Sequence, residues 1–187
     1  MLCLEMGTAM SPVLAEDLRM APFGQPVRIG ATALTNSMGD ILPAAWHTSI
    51  SIGVTELSFC PGGIVPARNW LSHKMLRNGS QEGPEVVIEI GQSTTSAVEL
   101  VSALSGLFKT GSYDLLRKNC NTFTNVAMFW LTGMKLDDRF TALDRAGASI
   151  ESSFGPLVQI FSFGSYVPNP EAVTFDLDEV LKRVDRF

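Results

Sequence analysis

A cysteine within a polar run that leads directly into an apolar run is the feature that most restricts how this chain folds. Residues 117–125 are Arg-Lys-Asn-Cys-Asn-Thr-Phe-Thr-Asn, and residues 126–131 are Val-Ala-Met-Phe-Trp-Leu, followed by Thr132 and Gly133. This pattern predicts a loop that leads into a helix, with Cys120 at or just before the first turn. Because a helix N-terminus carries partial positive charge, it favours the thiolate form of such a cysteine. The segment therefore predicts a nucleophilic thiol.

A thiol nucleophile needs a general base, and the chain contains two histidines. His47 lies in the run Trp-His-Thr-Ser-Ile, whose alternation is typical of a β-strand. His73 lies in a polar stretch, Ser-His-Lys, that predicts a solvent-exposed loop. We therefore expect His47 to be the base and keep His73 as the alternative. By chemistry alone, Asn119, Asn121 and Asn125 are candidates for a third residue that orients the imidazole.

Cys120 and His47 together predict acyl transfer. The positive charges of Arg117 and Lys118, just before the cysteine, would lower the pKa of the thiol further. In this hypothesis the thiolate attacks a carbonyl carbon, backbone N–H groups of the first helical turn stabilise the oxyanion, and His47 protonates the leaving group. A buried structural cysteine is the alternative interpretation, because free cysteines are among the most buried residues in proteins.

Composition and charge argue against several other classes of protein. The chain has 187 residues, of which 45% are hydrophobic and 18% charged, as expected for a globular domain with a substantial core. The net charge is −5 and no basic stripe occurs, which argues against nucleic acid as a partner. No apolar run approaches the roughly 18 residues that a membrane-spanning helix needs.

The cysteines and the missing motifs narrow the chemistry further. Cys3, Cys60 and Cys120 are odd in number and widely spaced, so we expect no disulfide framework and a reducing compartment. The sequence has no phosphate loop, no Gly-x-Ser-x-Gly and no paired spacing of metal ligands. We therefore expect neither a cofactor nor a metal ion.

Hydrophobic periodicity predicts a domain that mixes strands and helices. Alternating apolar and polar residues are typical of strands, whereas the apolar residues after Ser96 recur every three or four positions, as on one face of a helix. Residues 19–42 predict a hairpin or an insertion, in which residues 27–34 have strand character and residues 36–40 form a turn. Residues 66–84 predict a long loop. The other predicted elements are strands at 1–6, 46–54, 56–60 and 86–90, a helix ending at Leu18, and helices at 139–146 and 176–187.

These motifs resemble the PPPDE superfamily of thiol peptidases, in particular the DeSI-type desumoylating isopeptidases. Residues 46–50 are similar to the family's histidine motif, and residues 119–123 are similar to its cysteine motif. The Phe-Trp-Leu-Thr-Gly run at 129–133 fits the segment that follows that cysteine. Similarity extends over most of residues 1–163, and the combination of the two motifs is more specific than either motif alone.

The resemblance implies an α+β, permuted papain-like fold in which a small antiparallel sheet packs with helices and the histidine precedes the cysteine. It implies a catalytic dyad, with Cys120 as nucleophile and His47 as base. The expected peptidase domain covers residues 1–164 and includes residues 19–42 as an insertion. A linker and a C-terminal helix then cover residues 165–187.

The resemblance also implies a substrate class and a location. Relatives release SUMO or ubiquitin from lysine side chains, are cytoplasmic or nuclear, and include homodimers, so we expect conjugates of ubiquitin-like proteins as partners. Two alternatives stay open: a thioesterase that removes S-acyl groups with the same dyad, and a non-catalytic binding module. Residues 57–61, Leu-Ser-Phe-Cys-Pro, depart from the aromatic-rich Phe-Gly sequence of the family and leave the substrate preference open.

Overall fold

The computed structural model describes residues 24–34, 44–76, 82–142 and 166–184. In these residues a five-stranded antiparallel sheet packs with helices, which confirms the α+β class. The strands are β1 Gln25–Ala33, β2 Trp46–Ile52, β3 Thr55–Cys60, β4 Gly63–Arg68 and β5 Val86–Ser93. The helices are α1 Leu71–Leu76, α2 Ala97–Leu104, α3 Cys120–Thr132 and α4 Leu177–Val184, with a 3-10 turn at Pro170–Ala172.

Strand β1 occupies an interior position in the sheet, whose order is β4-β3-β2-β1-β5. It pairs along its length with β2 on one side and β5 on the other. These nine residues overlap the strand character predicted at 27–34, but they form an interior strand of the main sheet and not the separate hairpin or insertion predicted for 19–42. They form part of the sheet because residues such as Val27, Ile29 and Ala31 are buried against the core.

Alternation along the strands gives the sheet two different buried faces. The apolar face packs against the helices of the core, and Trp46 and Thr48 of β2 point to this side. The polar face carries the intervening residues, since the register pairs Thr32 with His47. The apolar face includes Val27, Ile29, Ala31, Ile50, Ile52, Leu57 and Phe59. The polar face includes Gly30, Thr32, His47, Ser49, Ser51 and Glu56.

Helix α1 covers the polar face, where the sequence predicted a long loop at residues 66–84. That prediction is wrong for residues 66–68, which belong to β4, and for the six residues of α1. A six-residue helix is too short to show a helical period, and Pro66 argued against a strand. Glycine at position 30 lets α1 approach, because a Cβ there would lie 2.7 Å from the Trp70 ring and 2.9 Å from His73 Nε2.

Helix α3 is capped at both ends. The Asn119 side chain accepts hydrogen bonds from the backbone N–H groups of Asn121 and Thr122, which makes Asn119 the N-cap. Gly133 ends the helix in the left-handed conformation, with φ of 70°. Between these caps the helix buries residues in the core, among them Phe123, Val126 and Ala127.

The C-terminal segment, residues 166–184, packs onto the rest of the described structure. Asn169 donates its backbone N–H to Asp114 at 2.8 Å, and Tyr166 donates its hydroxyl to the same carboxylate at 3.1 Å. Helix α4 adds Leu181 and Val184 to the hydrophobic core. The predicted amphipathic helix is thus confirmed between Leu177 and Val184.

Several predicted elements lie outside the described residues: the strand at 1–6, the helix ending at Leu18, and part of the helix at 139–146. Residues 138–142 are helical as far as they are described. Within the described ranges, no helix combines the length and hydropathy that a membrane span requires.

Asp114→Asn should destabilise the fold by about 2 kcal/mol, because the buried carboxylate of Asp114 accepts hydrogen bonds from four donor groups. An amide would set its own N–H atoms against these donors, which are the backbone N–H groups of Leu116, Arg117 and Asn169 and the hydroxyl of Tyr166. Urea unfolding gives the measurement. The control is Asp178→Asn, at a side chain that is 80% exposed, which should change stability by no more than about 0.5 kcal/mol. Equal losses in both variants would contradict this role for Asp114.

Candidate active site

Cys120 is the first residue of α3 and is 6% exposed. Its Sγ lies 3.8 Å from Oδ1 of Asn121. Among the described residues it is the free cysteine. Cys60, at the end of β3, is disulfide-bonded, which the number and spacing of the cysteines did not predict. The position of Cys120 at a helix N-terminus, next to the N-cap, favours the thiolate form of this thiol.

The side chain of Asn121 joins the start of α3 to the start of β2. Its Nδ2 donates to the carbonyl oxygen of Trp46 at 3.0 Å, and its Oδ1 accepts from the hydroxyl of Thr48 at 2.9 Å. These two partners flank His47 in sequence. Strand β3 pairs with β2 only at residues 50–52, so Asn121 fills the edge that β3 leaves open. The structure therefore brings together the histidine and cysteine segments that the sequence singled out.

His47 is a partly buried residue on the polar face of β2. Its Nε2 lies 2.8 Å from the hydroxyl of Ser72 in α1, and its ring centroid lies 4.8 Å from that of His73. Burial lowers the pKa of His47 to about 4, so the imidazole is neutral at pH 7. The imidazole of His47 points toward α1, whereas the neighbouring Thr48 points toward α3. The His47 ring and the Cys120 sulfur would therefore have to meet at the edge of β2 that β3 does not cover. The contact between them stays a prediction.

His73, expected on a solvent-exposed loop, belongs to α1 and is fully buried where that helix packs on the polar face, so that expectation is wrong. Its Nδ1 lies 2.8 Å from the hydroxyl of Thr32, and its Nε2 lies 2.9 Å from the hydroxyl of Ser49. Glu56 Oε1 is 3.8 Å from the same Nε2. Because both ring nitrogens contact buried hydroxyl groups, His73 is out of reach of a substrate.

Glu56 and Ser72 are residues of this site that the sequence analysis missed. Glu56 is 1% exposed, and Ser72 donates its hydroxyl to Oε1 at 2.5 Å and its backbone N–H to Oε2 at 3.4 Å. Burial raises the pKa of Glu56, while hydrogen bonds from Ser72 and Ser49 oppose that change. The sequence does contain a signal for Glu56. Its neighbours in the strand are apolar or β-branched, and a charged residue buried among them is rare unless it has a partner.

The three asparagines near Cys120 serve other purposes than orienting His47. Asn119 caps α3, and Asn125 accepts a hydrogen bond from the backbone N–H of Leu136 at 2.9 Å. Asn121 bonds to β2 at Trp46 and Thr48, as described above. The group that contacts the imidazole of His47 is instead the hydroxyl of Ser72.

The backbone amides expected to stabilise an oxyanion at the start of α3 are already hydrogen-bonded. The backbone N–H groups of Asn121 and Thr122 are bonded to the Asn119 side chain, and that of Phe123 is bonded to the Asn119 carbonyl. These amides, proposed from the sequence as oxyanion donors, are engaged by the cap.

Lys118, expected to add positive charge beside the thiol, directs its ammonium elsewhere. It donates to the hydroxyl of Ser112 at 2.9 Å and lies over the rings of Phe108 and Phe175. Burial lowers the pKa of Lys118. In the described part of the chain, no group of three or more His, Cys, Asp or Glu side chains is arranged to hold a metal ion.

The pKa of about 4 for His47 predicts that stability falls as the pH is lowered from 6.5 toward 4. In that window the unfolded imidazole binds a proton that the folded one does not, so acid favours the unfolded state by on the order of 1–3 kcal/mol. His47→Gln, which cannot titrate, should flatten this slope. Urea unfolding of both proteins from pH 4 to pH 8 provides the test.

Comparing the wild type with His47→Gln separates the pH dependence of stability that is due to His47 from the part that is due to Glu56. The raised pKa of Glu56 acts in the opposite sense, because its folded carboxyl group holds a proton that the unfolded one releases as the pH rises. Glu56 is present in both proteins, so the difference between their slopes reports on His47. Identical slopes would show that the imidazole is not desolvated.

Comparison with known proteins adds a family. Residues 17–158 match the PPPDE putative peptidase domain. Human desumoylating isopeptidase 1 is 32% identical over 111 residues, which cover 57% of this chain and 61% of that protein. The rat protein of the same name is 30% identical over 129 residues, covering 66% and 71%, and the Xenopus laevis protein is 32% identical over 113 residues, covering 57% and 61%. The chain thus spans about three fifths of the human relative's length.

Proposed function

This chain belongs to the PPPDE peptidase family, and from that membership we propose that it is a cysteine isopeptidase that releases SUMO from lysine side chains. The observation that carries the proposal is the bond network of Asn121, which holds the cysteine at the start of α3 against the histidine strand β2. SUMO is proposed as the modifier because the similar proteins are named desumoylating isopeptidases. Homodimerisation and a cytoplasmic or nuclear location stay predictions from the resemblance.

Cys120 is the proposed nucleophile. It stands at the N-terminus of a 13-residue helix, where the aligned peptide dipoles stabilise negative charge on sulfur. Its position is fixed by the Asn119 cap on one side and by the Asn121 bonds to β2 on the other. A thiol held in this way is ready to attack a carbonyl carbon without reorganising the backbone.

His47 is the proposed general base. The chain has two histidines, and His73 is 0% exposed and bonded through both ring nitrogens. His47 is only partly buried and lies in the strand that Asn121 joins to the cysteine helix. Its lowered pKa keeps the imidazole neutral at physiological pH, which is the form that accepts a proton.

The proposed reaction follows from these two groups. The thiol proton passes to His47, and the sulfur of Cys120 attacks the isopeptide carbonyl carbon, forming the S–C bond. The C–N bond breaks, and the lysine amine leaves with the proton from the imidazolium. Water then attacks the thioester, its proton passes through His47 to the sulfur, and the modifier leaves with a free carboxylate.

Cys120→Ala and His47→Ala should each reduce release of SUMO from a lysine-linked conjugate by at least about 100-fold, because each removes one partner of the proton transfer. Release is measured by gel with purified protein, and circular dichroism checks the fold. Ser58→Ala, a buried serine of the polar face that the proposed reaction does not use, is the matched control and should retain activity.

The same assay distinguishes the alternatives that the sequence left open. Full turnover by Cys120→Ala would overturn the nucleophile assignment. Parallel reactions use a ubiquitin conjugate and an S-palmitoyl peptide. Hydrolysis of the S-palmitoyl peptide alone would replace the isopeptidase proposal with a thioesterase, and no reaction with any of the three would favour a binding module.

A further inference from the structure

Building on the proposed function, we infer that Glu56 is a positioning residue that acts through Ser72 to hold the imidazole of His47 in the Nε2–H tautomer, which leaves Nδ1 to accept the proton of the nucleophile. Neither Glu56 nor Ser72 would touch the substrate in this arrangement. Their role is to decide which ring nitrogen carries the proton and in which plane the ring lies.

The three residues form a continuous chain of hydrogen bonds on the polar face. Glu56 Oε1 is 2.5 Å from the Ser72 hydroxyl, and that hydroxyl is 2.8 Å from His47 Nε2. The three residues come from β3, α1 and β2, so the chain exists only when α1 is seated on the sheet. Because Glu56 is 1% exposed, water does not compete for its carboxylate.

Donor and acceptor chemistry sets the direction of this chain. A carboxylate has no proton, so Ser72 must donate its single O–H to Glu56. The serine oxygen then has only lone pairs to offer His47, and the ring must donate to it from Nε2. A neutral imidazole carries one N–H, so its other nitrogen, Nδ1, is left with a lone pair.

The opposite direction gives the wrong tautomer. A protonated Glu56 would donate to Ser72, Ser72 would donate to Nε2, and the ring proton would move to Nδ1. Burial raises the pKa of Glu56, and the donors around its oxygens oppose that change. The Ser72 and Ser49 hydroxyl groups and the backbone N–H of Ser72 all donate to these oxygens and so favour the carboxylate. His73, 3.8 Å from Oε1, is the titratable group described beside this carboxylate.

If Glu56 and Ser72 had only a structural role, a different result would be expected. Ser72 also donates its backbone N–H to Glu56, so the carboxylate helps to seat α1 whatever happens at His47. Loss of that contact alone would lower stability and leave the tautomer of His47 unchanged. The tautomer is therefore the decisive measurement, and it can be made without any substrate.

The first experiment is ¹⁵N NMR of the full chain with labelled histidine, at pH 7. We expect the His47 ring to be the Nε2–H tautomer in the wild type and in Ser72→Thr, which keeps the hydroxyl group. Ser72→Ala and Glu56→Gln should shift His47 to a mixture of tautomers. A predominant Nδ1–H form in the wild-type protein would overturn the inference, and so would an unchanged tautomer in a folded Ser72→Ala.

The second experiment measures turnover of the lysine-linked SUMO conjugate. Ser72→Ala and Glu56→Gln should lower kcat roughly 10–100-fold with little change in KM, while Ser72→Thr and the Ser58→Ala control stay within about threefold of wild type. An unchanged kcat in folded Ser72→Ala would overturn the positioning role. If the wild type releases no SUMO, the proposed function fails, and the NMR measurement still decides the tautomer.

Discussion

The side chain of Asn121 is the contact on which the arrangement of this molecule depends. One buried amide satisfies the carbonyl group of Trp46 and the hydroxyl group of Thr48, at the point where β3 has separated from β2. Without it, a backbone acceptor inside the protein would lack a partner, which costs free energy. The same bonds connect segments 73 residues apart and so place the thiol beside the histidine strand. One side chain therefore both completes the edge of β2 and positions the cysteine segment.

The sheet is unusual in burying polar side chains on one of its faces. Buried hydroxyl, imidazole and carboxylate groups are costly unless they are paired, and here α1 supplies Ser72 and His73 as partners for Thr32, Ser49 and Glu56. Once paired, such a network is stiff and specifies one arrangement. The apolar face provides stability through α2, α3 and α4, while the polar face holds a histidine and a carboxylate in defined positions.

The sequence predicted the elements whose signals are local. The apolar run of α3 with its end at Gly133, the alternation of β2 and the amphipathic pattern of α4 are each contained in a dozen residues or so. It missed β4 and α1, which are short. It predicted strand character at 27–34 but assigned it to a hairpin or an insertion, because the partners of β1 are strands elsewhere along the chain. His73 was misplaced for the same reason, since its contact with Thr32 spans 41 positions. Local pattern predicts Cys120 as the nucleophile, whereas the contact between Ser72 and Glu56 is seen only in the packed structure.

The carboxylate of Asp114 serves two parts of the chain at once. It closes the turn at Leu116 and Arg117, which leads into the helix of Cys120, and it also holds Tyr166 and Asn169. The C-terminal segment is therefore not a site where a tag or a truncation would leave the rest of the structure unaffected. A fusion partner that pulls on it, or a protease that trims it, would disturb the loop in front of Cys120.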